Sequence, residues 1–302
     1  MGPTGSGKTE LSLQLARRLN AEIISADSMQ VYQGMDIGTA KPSQTARKRI
    51  PHHLIDSVSP RASFSVFQYR QRALQAIKKI IKKNRLALVI GGSGLYVETL
   101  WKGISDQPGA DAGLRKQLQR EAKRDGLGLL HQKLKNIDPA RARVIHPNDA
   151  QRIIRALEIA LPSGRKPSGD ARRKGGLEEL GYSVRFFGIH RDRSELYQRI
   201  NQRVEQMFRK GFLQEVKRLK PRGFSKTAAQ ALGYKEILES FQNSSTPTRQ
   251  DFVLLIQKRT RQFAKRQLTW FRREKAIEWI DWGPRASVRN VCDKIMALYG
   301  QR

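Results

Sequence analysis

The glycine-rich stretch MGPTGSGKTE at residues 1–10 constrains the fold more than any other feature of this sequence. It fits the pattern G-x-x-x-x-G-K-[ST], in which backbone N–H groups surround a phosphate and a helix begins directly after the turn. Leu11, Leu15 and Leu19 then recur every four residues, which is typical of one face of a helix. The stretch therefore predicts a phosphate cradle followed by a helix.

The cradle pattern assigns a role to each of its residues. Lys8 would neutralise phosphate charge, and the hydroxyl of Thr9 would bind Mg²⁺. The predicted phosphate-binding residues are Gly2, Pro3, Thr4, Gly5, Ser6, Gly7, Lys8 and Thr9. A cradle of this kind normally follows a buried strand. Only Met1 precedes it here, so we expect the natural first strand of the sheet to be missing.

The rest of the chain alternates short apolar runs with amphipathic helices. Residues 21–27 and 85–92 are typical of buried strands, and they flank a predicted helix over 64–84 whose apolar face includes Phe67, Ile77 and Ile81. Strands separated by helices of this length predict crossover units and a parallel sheet. Later segments predict strands at 181–190 and 276–282, long helices over 193–219 and 251–275, and a closing helix.

These elements predict an α/β chain with a P-loop NTPase-like parallel sheet flanked by helices. From about residue 105 to about 180, the sequence predicts many helices and few strands. We therefore expect a catalytic core formed by 1–104 and 181–302, and a helical insertion domain formed by 105–180.

The charge balance favours a polyanionic partner. The chain has 58 Lys and Arg residues against 27 Asp and Glu, a formal net charge of +31, and nucleic acid is the commonest partner for such an excess. No apolar run approaches the roughly 20 residues that span a bilayer, and no signal peptide is visible. The single cysteine, Cys292, cannot form an internal disulfide. We expect a soluble, cytoplasmic protein with no membrane partner.

Two polar residues lie at the carboxyl ends of predicted strands. Asp27 ends the first strand and Ser93 follows the second, and open parallel sheets bind ligands beyond this edge. Asp27 could hold magnesium through water or orient an acceptor hydroxyl, as in a kinase. It could equally accept a proton from a nucleophile that attacks a group attached to the bound phosphates. Spacing alone leaves these alternatives open.

Two predicted helices favour RNA as the polyanion. Gln151, Arg152 and Arg155 share one side of a helix whose other side carries apolar residues for packing. Residues 251–275 contain eight Lys or Arg against two acids, so this helix could follow a phosphate backbone. Its aromatic residues could stack on bases, but packing in the core is the expected role for Phe263, Trp270 and Phe271.

Six motifs, in order over essentially the whole chain, resemble the tRNA dimethylallyltransferase family. They are GPTGSGKT, ISADSMQVYQGMDIGTAKP, GGSGLY, DPARARVIHPNDAQRIIRALEI, QALGYKE and TRQFAKRQLTWFR. The second motif is far more specific than the cradle. The resemblance implies transfer of a dimethylallyl group from dimethylallyl diphosphate to N6 of adenosine 37 in the tRNA anticodon loop, with release of diphosphate. It also implies Mg²⁺ as cofactor, the anticodon stem-loop as partner and a monomer.

The resemblance further implies roles for individual residues. Asp27 matches the catalytic base, Arg203 matches an arginine near the diphosphate, and Ser93 stands where the family usually has threonine. The cradle becomes a diphosphate-binding site. The residues implied to contact tRNA are Asp27, Ser28, Met29, Gln30, Ser93, Arg115, Gln151, Arg152, Ile153, Ile154, Arg155, Gln230, Ala231, Leu232, Gly233, Tyr234, Lys235, Lys265, Arg266, Gln267 and Arg272.

Three other functions share parts of this pattern. A small-molecule or nucleoside kinase shares the cradle and the aspartate, but it gives no reason for the large positive charge. A GTPase-like RNA-binding module needs a base-specificity motif such as N-K-x-D, which the sequence lacks. A prenyltransferase that acts on free AMP would not need the basic helices.

Overall fold

The computed structural model describes residues 1–105, 109, 111–164, 166–168, 173–241 and 247–301. The chain forms two compact units, Met1–Trp101 with Ser183–Arg302, and Lys102–Tyr182. The predicted boundaries of the insertion, 104/105 and 180/181, fall a few residues from these divisions.

Helices predominate in both units, and short strands lie between them. The helices are α1 (Lys8–Arg18), α2 (Gln44–Arg49), α3 (Val66–Ile81), α4 (Gly94–Lys102), α5 (Ala112–Arg124), α6 (Leu127–Ile137), α7 (Pro139–Val144), α8 (Ala150–Ser163), α9 (Arg193–Arg209), α10 (Phe212–Leu219), α11 (Tyr234–Ser240), α12 (Arg249–Phe271) and α13 (Val288–Gly300). The strands are β1 (Ala21–Ala26), β2 (His52–His53), β3 (Leu86–Gly91), β4 (Ile104–Ser105), β5 (Arg173–Lys174), β6 (Phe186–His190) and β7 (Ile277–Asp281).

The first unit contains the parallel strands that the sequence predicts. β1 lies between β2 and β3, β6 pairs with β7, and each of these pairings is parallel. All six residues of β1 are buried, as expected for a central strand covered on both faces. The prediction of a parallel α/β arrangement is confirmed.

The cradle begins beside β6. Within the described residues no strand precedes the cradle. Met1 instead runs alongside β6, where its carbonyl oxygen accepts the N–H of Ile189 at 2.8 Å and its amino group donates to the carbonyl oxygen of Phe187. The side chains of Leu11 and Leu15 on α1 are buried in a cluster with Ile189, Ile280 and Trp282, which fixes α1 against β6 and β7.

Two sequence predictions about helices are wrong in part. The buried face of α3 is formed by Tyr69, Ala73, Ala76, Ile77 and Ile80, while Phe67 and Ile81 are exposed. The predicted continuous helix over 193–219 is interrupted, because Gly211 adopts a left-handed conformation with φ = 90°. A glycine tolerates this conformation at little cost, so the chain turns there and starts α10.

The second unit is a helical domain with its own core. Helices α5 to α8 lie in it, and β4 pairs with β5 in antiparallel fashion. Its core cluster contains Leu118, Leu130, Leu134, Ile153 and Leu157, all 2% exposed or less.

None of the helices in the described part of the chain is both long enough and apolar enough to cross a membrane.

Candidate active site

A cavity of about 930 Å³ in the first unit brings the cradle and the strand ends together. Its lining includes Lys8 and Thr9 from the start of α1, Asp27 after β1, Ser93 after β3 and Arg203 from α9. Helices α11 and α12 also contribute to the lining. The structure therefore places all three predicted catalytic residues, and the two cradle residues that follow Gly7, around one cavity.

The cradle is a tight turn that requires glycine at two positions. Gly5 and Gly7 have φ values of 82° and 93°, a left-handed conformation that other residues adopt only with strain. A Cβ atom on Gly5 would also lie 2.8 Å from the side chain of Ile200. Helix α1 starts at Lys8 with no side chain capping its first turn. Uncapped N–H groups at a helix start can bind an anion.

Two cations lie close together beside the cradle. The Lys8 ammonium donates to the carbonyl oxygen of Pro3 at 2.6 Å, and the Arg203 guanidinium donates to the hydroxyl of Thr4 at 3.1 Å. Burial, and to a lesser extent the charge of Arg203, lower the pKa of Lys8 to about 7, although the carboxylate of Asp27 opposes both effects. Burial likewise lowers the pKa of Arg203. An anion in this position would stabilise both charged side chains.

Asp27 carries a carboxylate with one oxygen still available. Its Oδ1 accepts the backbone N–H groups of Met29 at 2.9 Å and Gln30 at 3.3 Å, which fixes the side chain at the end of β1. Its Oδ2 accepts no hydrogen bond from any residue that the structure describes. A fixed carboxylate with a free oxygen facing a cavity can accept a proton from a bound nucleophile.

Ser93 joins the ends of two strands. Its hydroxyl oxygen accepts the N–H of Ser28 at 3.1 Å, and its own N–H donates to the carbonyl oxygen of Ala26 at 3.2 Å. These bonds hold the loop after β3 against the residue that follows Asp27. The geometry indicates that Ser93 orients the backbone around Asp27.

Two further arginines, which are not among the predicted site residues, contact the cradle. Arg199 donates to the carbonyl oxygen of Gly5 at 3.0 Å, and Arg191 donates to that of Ser6 at 2.9 Å. Together with Arg203 they reach three successive residues of the turn. The spacing of Arg199 and Arg203, four residues apart on α9, was a signal that both could face the same ligand site.

Gln267 is buried between the cradle and β3. Its Oε1 accepts the N–H of Thr4 at 2.8 Å, and its Nε2 donates to the carbonyl oxygen of Gly92 at 2.8 Å. The side chain is predicted to contact tRNA, but both of its amide atoms are engaged inside the chain. We therefore reassign its side chain to positioning of the cradle.

A buried carboxylate on α10 holds the loop that follows β1. Glu215 accepts the N–H groups of Asp36, Ile37 and Gly38 at 2.9 to 3.2 Å, and the hydroxyl of Tyr234 at 2.6 Å. Burial and the carboxylate of Glu215 raise the pKa of Tyr234, so this hydroxyl stays protonated and donates. No sequence pattern indicated this role for Glu215. Since Tyr234 is fully buried, it cannot offer its side chain to tRNA as predicted.

The other residues predicted to contact tRNA in this unit lie in or near the cavity. The residues that line it are Ser28, Met29, Gln30, Gln230, Ala231, Leu232, Lys235 and Arg266. Lys265 and Arg272 are exposed, and Gly233 is buried. These positions stay predictions as tRNA contacts.

The aromatic residues of α12 divide into two kinds. Phe271 is fully buried, as expected of a core residue, but Phe263 is 38% exposed and lines the cavity. The guanidinium of Arg266 lies 5.8 Å from the centre of the Phe263 ring. The prediction of a core role for Phe263 is therefore wrong, and its ring is available to stack on a base.

In the second unit, only part of the predicted tRNA-binding helix faces solvent. Gln151 and Arg152 are exposed, whereas Ile153 and Ile154 are 0% and 7% exposed and belong to the core. The two isoleucine side chains cannot contact RNA, so their predicted role is corrected to packing.

The arginines predicted to contact tRNA in this unit share a buried partner. Arg115 and Arg155 donate to the carboxylate of Glu158 at 2.6 and 3.0 Å. Glu158 is 1% exposed, so at least part of each positive charge serves to compensate a buried carboxylate.

A family model and several named proteins match this chain. The family model described as IPP transferase matches residues 30–274. The chain is 43% identical to the tRNA dimethylallyltransferase of Geobacter sulfurreducens over 93% of this chain and 90% of that protein. It is likewise 43% identical to that of Bacillus subtilis, over 94% of this chain and 90% of the relative.

Two solved structures have the same fold. The tRNA isopentenylpyrophosphate transferase from Bacillus halodurans aligns with a TM-score of 0.71 at 38% identity, covering 99% of this chain and 94% of that one. A eukaryotic dimethylallyltransferase acting on tRNA aligns with a TM-score of 0.79 at 28% identity, covering 98% of this chain and 76% of that one. The fold is therefore the P-loop NTPase-like α/β fold that the sequence predicts. Given the family model, the close relatives and the shared fold, the chain belongs to the IPP transferase family.

Proposed function

We propose that this chain transfers a dimethylallyl group from dimethylallyl diphosphate to N6 of adenosine 37 in the tRNA anticodon loop. The observation that carries the proposal is one cavity with an anion-binding cradle and an available carboxylate. Lys8 and Arg203 supply positive charge beside the cradle, and Asp27 lines the same cavity. The relatives named above act on tRNA according to their names, and none of these names describes a kinase.

The proposed reaction exchanges one bond at the allylic carbon for another. The bond between this carbon and the diphosphate oxygen breaks, and its electron pair leaves with the diphosphate. A new bond forms from N6 to the carbon. Because the lone pair of an adenine amine is delocalised into the ring, the amine is a weak nucleophile, and Asp27 takes its proton as the bond forms. Lys8, Arg203 and the cradle N–H groups stabilise the charge that develops on the departing diphosphate.

The residues present suit Mg²⁺ as the cofactor of this reaction. Thr9 lies in the first turn of α1, lines the cavity, and its hydroxyl makes no hydrogen bond to the described residues. With phosphate oxygens and water, this hydroxyl provides the oxygen ligands that Mg²⁺ prefers. When bound, the ion supplies neutralisation of the diphosphate charge. Within the described residues no cluster of three or more His, Cys, Asp or Glu side chains could hold a metal.

The basic face of α12 is the proposed tRNA-binding surface of the first unit. Lys258, Arg259, Lys265 and Arg266 are exposed and have no acidic partner among the described residues. Such a helix can follow the phosphate backbone of the anticodon arm. Reaching N6 inside a stacked loop requires extrusion of the base at a cost of a few kcal/mol, which these phosphate contacts would offset. We further propose a monomer that works in the cytoplasm.

The test compares two acceptors in parallel reactions. Purified protein is incubated with Mg²⁺ and labelled dimethylallyl diphosphate, with either unmodified tRNA or AMP as acceptor. The proposal expects label in tRNA and none in AMP. A parallel reaction with labelled ATP and a panel of nucleosides covers the kinase alternative, and phosphoryl transfer there without any prenylated tRNA would reject the proposal.

A further inference from the structure

Arg191 is a buried arginine that has no role in the reaction proposed above. It lies between β6 and α9 and is 4% exposed. Its guanidinium stacks on the indole of Trp282 at 4.0 Å, pairs with the carboxylate of Glu195, and donates to the carbonyl oxygens of Trp282 at 3.4 Å and Ser6 at 2.9 Å. Keeping a charge buried is costly unless it is paired and hydrogen-bonded, and here a carboxylate and two carbonyl oxygens accept from the guanidinium.

The hydrogen bond from Arg191 to the Ser6 carbonyl oxygen lies on the side of the cradle that packs against Trp282. Gly7 stands against both side chains of the stack, because a Cβ atom on Gly7 would lie 3.0 Å from the Trp282 ring and 3.4 Å from an Arg191 nitrogen. Trp282 is itself packed in the buried apolar cluster that contains Leu11 and Ile280. The guanidinium is thus a fixed support under the peptide that joins Ser6 to Gly7.

Because the peptide is planar, a contact that fixes its C=O group also fixes the direction of its N–H group. In a trans peptide the C=O and N–H groups point in opposite directions. Because Arg191 holds the carbonyl oxygen of Ser6 behind the turn, the N–H of Gly7 must point away from Arg191. This N–H has no acceptor among the described residues. It is therefore available as a donor to an anion in the cradle.

We infer that Arg191 is a positioning residue for diphosphate binding, because it fixes the Ser6–Gly7 peptide so that the N–H of Gly7 faces the bound diphosphate. The inference rests on the proposed function only for the identity of the anion. Trp282 and Glu195 hold the guanidinium in place.

The substitution Arg191→Lys tests this role. Lysine keeps the positive charge, but its compact ammonium cannot contact the indole, the carboxylate and the Ser6 carbonyl oxygen with one planar group. We expect the Kd of inorganic diphosphate, measured by calorimetry with Mg²⁺, to rise about tenfold, in line with the loss of one well-aimed donor to a charged ligand. The KM for dimethylallyl diphosphate should rise with it, while the Kd of tRNA stays within about twofold of the wild type.

Two control variants separate positioning from general stability. Val291→Ala removes bulk from the same apolar cluster as Trp282 without contact to the cradle. Arg193→Lys changes a neighbouring arginine that stacks on Tyr197, with its guanidinium 5.2 Å from the ring, and makes no bond to the cradle. Both controls should keep the wild-type Kd for diphosphate, even where Val291→Ala lowers Tm as much as Arg191→Lys does.

The outcomes distinguish this inference from the proposed function. Wild-type affinity for diphosphate in Arg191→Lys overturns the inference, as does an equal loss in Val291→Ala at equal Tm. A wild-type protein that binds no diphosphate overturns it as well. If the wild type binds diphosphate and Arg191→Lys does not, but neither prenylates tRNA, the inference stands and the proposed function fails.

Discussion

Replacement of Glu215 is the most informative perturbation of the loop beside the catalytic residues. This carboxylate is 4% exposed and receives four groups, namely three consecutive backbone N–H groups at residues 36–38 and the hydroxyl of Tyr234. The loop it holds continues to Thr39, whose carbonyl oxygen accepts the Gln30 amide at 3.3 Å. The loss of Glu215 should therefore disturb the lining of the cavity and also lower the stability of the unit.

The magnitude follows from the donors that would be left unpaired. Each buried donor without a partner costs about 1 to 3 kcal/mol, and water entering the space left by a Glu215→Ala substitution recovers part of this. We expect a net loss of about 3 to 5 kcal/mol in the free energy of unfolding. Tyr234→Phe removes only one hydrogen bond to a charged group and should cost about 1.5 to 3 kcal/mol.

Urea unfolding monitored by circular dichroism measures both losses. The double variant Glu215→Ala/Tyr234→Phe should be less destabilised than the sum of the single variants, because the two side chains share one hydrogen bond. Glu239→Ala, which removes an exposed carboxylate from the neighbouring helix α11, is the matched control and should change the free energy by less than about 0.5 kcal/mol. A loss below about 1 kcal/mol in Glu215→Ala would refute the reasoning.

Three further predictions follow from the described contacts. If about six to ten phosphates are bound, tRNA affinity should fall roughly 10³- to 10⁵-fold between about 50 and 200 mM salt in filter-binding titrations, and a flat response would remove the electrostatic account. Phe263→Leu should weaken tRNA binding roughly 5- to 100-fold without changing the KM for dimethylallyl diphosphate, because a base–aromatic stack contributes about 1 to 3 kcal/mol; the exposed Phe67, which does not line the cavity, supplies the control Phe67→Leu. Burial of Asp138 alone would raise its pKa, but hydrogen bonds from Ser168 and the N–H of Arg141 outweigh this and hold the pKa below its ordinary range. Its stabilising contribution is therefore present at neutral pH and lost as the pH falls through the folded pKa, so acid urea titrations should show a loss that Asp138→Asn lacks, and equal pH profiles would contradict it.

The sequence predicted the site best where local chemistry sets the structure. The left-handed glycines Gly5 and Gly7 define the cradle turn, and the position of Asp27 after an apolar run places it at the sheet edge. Both follow from the properties of a few adjacent residues, so pattern and geometry agree.

The sequence failed where a role depends on contacts between distant residues. Glu215 binds a loop about 180 positions away, and Arg191 and Gln267 reach the cradle from still further along the chain. On α3, residues Phe67 and Ile80 are both apolar, and only the packing decides that the second is buried and the first exposed. The spacing of residues within one segment cannot predict contacts with distant segments.

Asp27→Asn isolates the role of Asp27 as proton acceptor, because it keeps the shape of the side chain and its hydrogen bonds to Met29 and Gln30 while removing the basic carboxylate. Single-turnover reactions with unmodified tRNA, analysed by mass spectrometry of the anticodon-loop fragment, report the five-carbon adduct on adenosine 37. We expect the adduct with the wild-type chain, a loss of at least about 100-fold in its rate of formation in Asp27→Asn, and unchanged Kd values for tRNA and diphosphate. Formation of the adduct at a near-normal rate in the variant, or its absence with the wild type, would contradict the account.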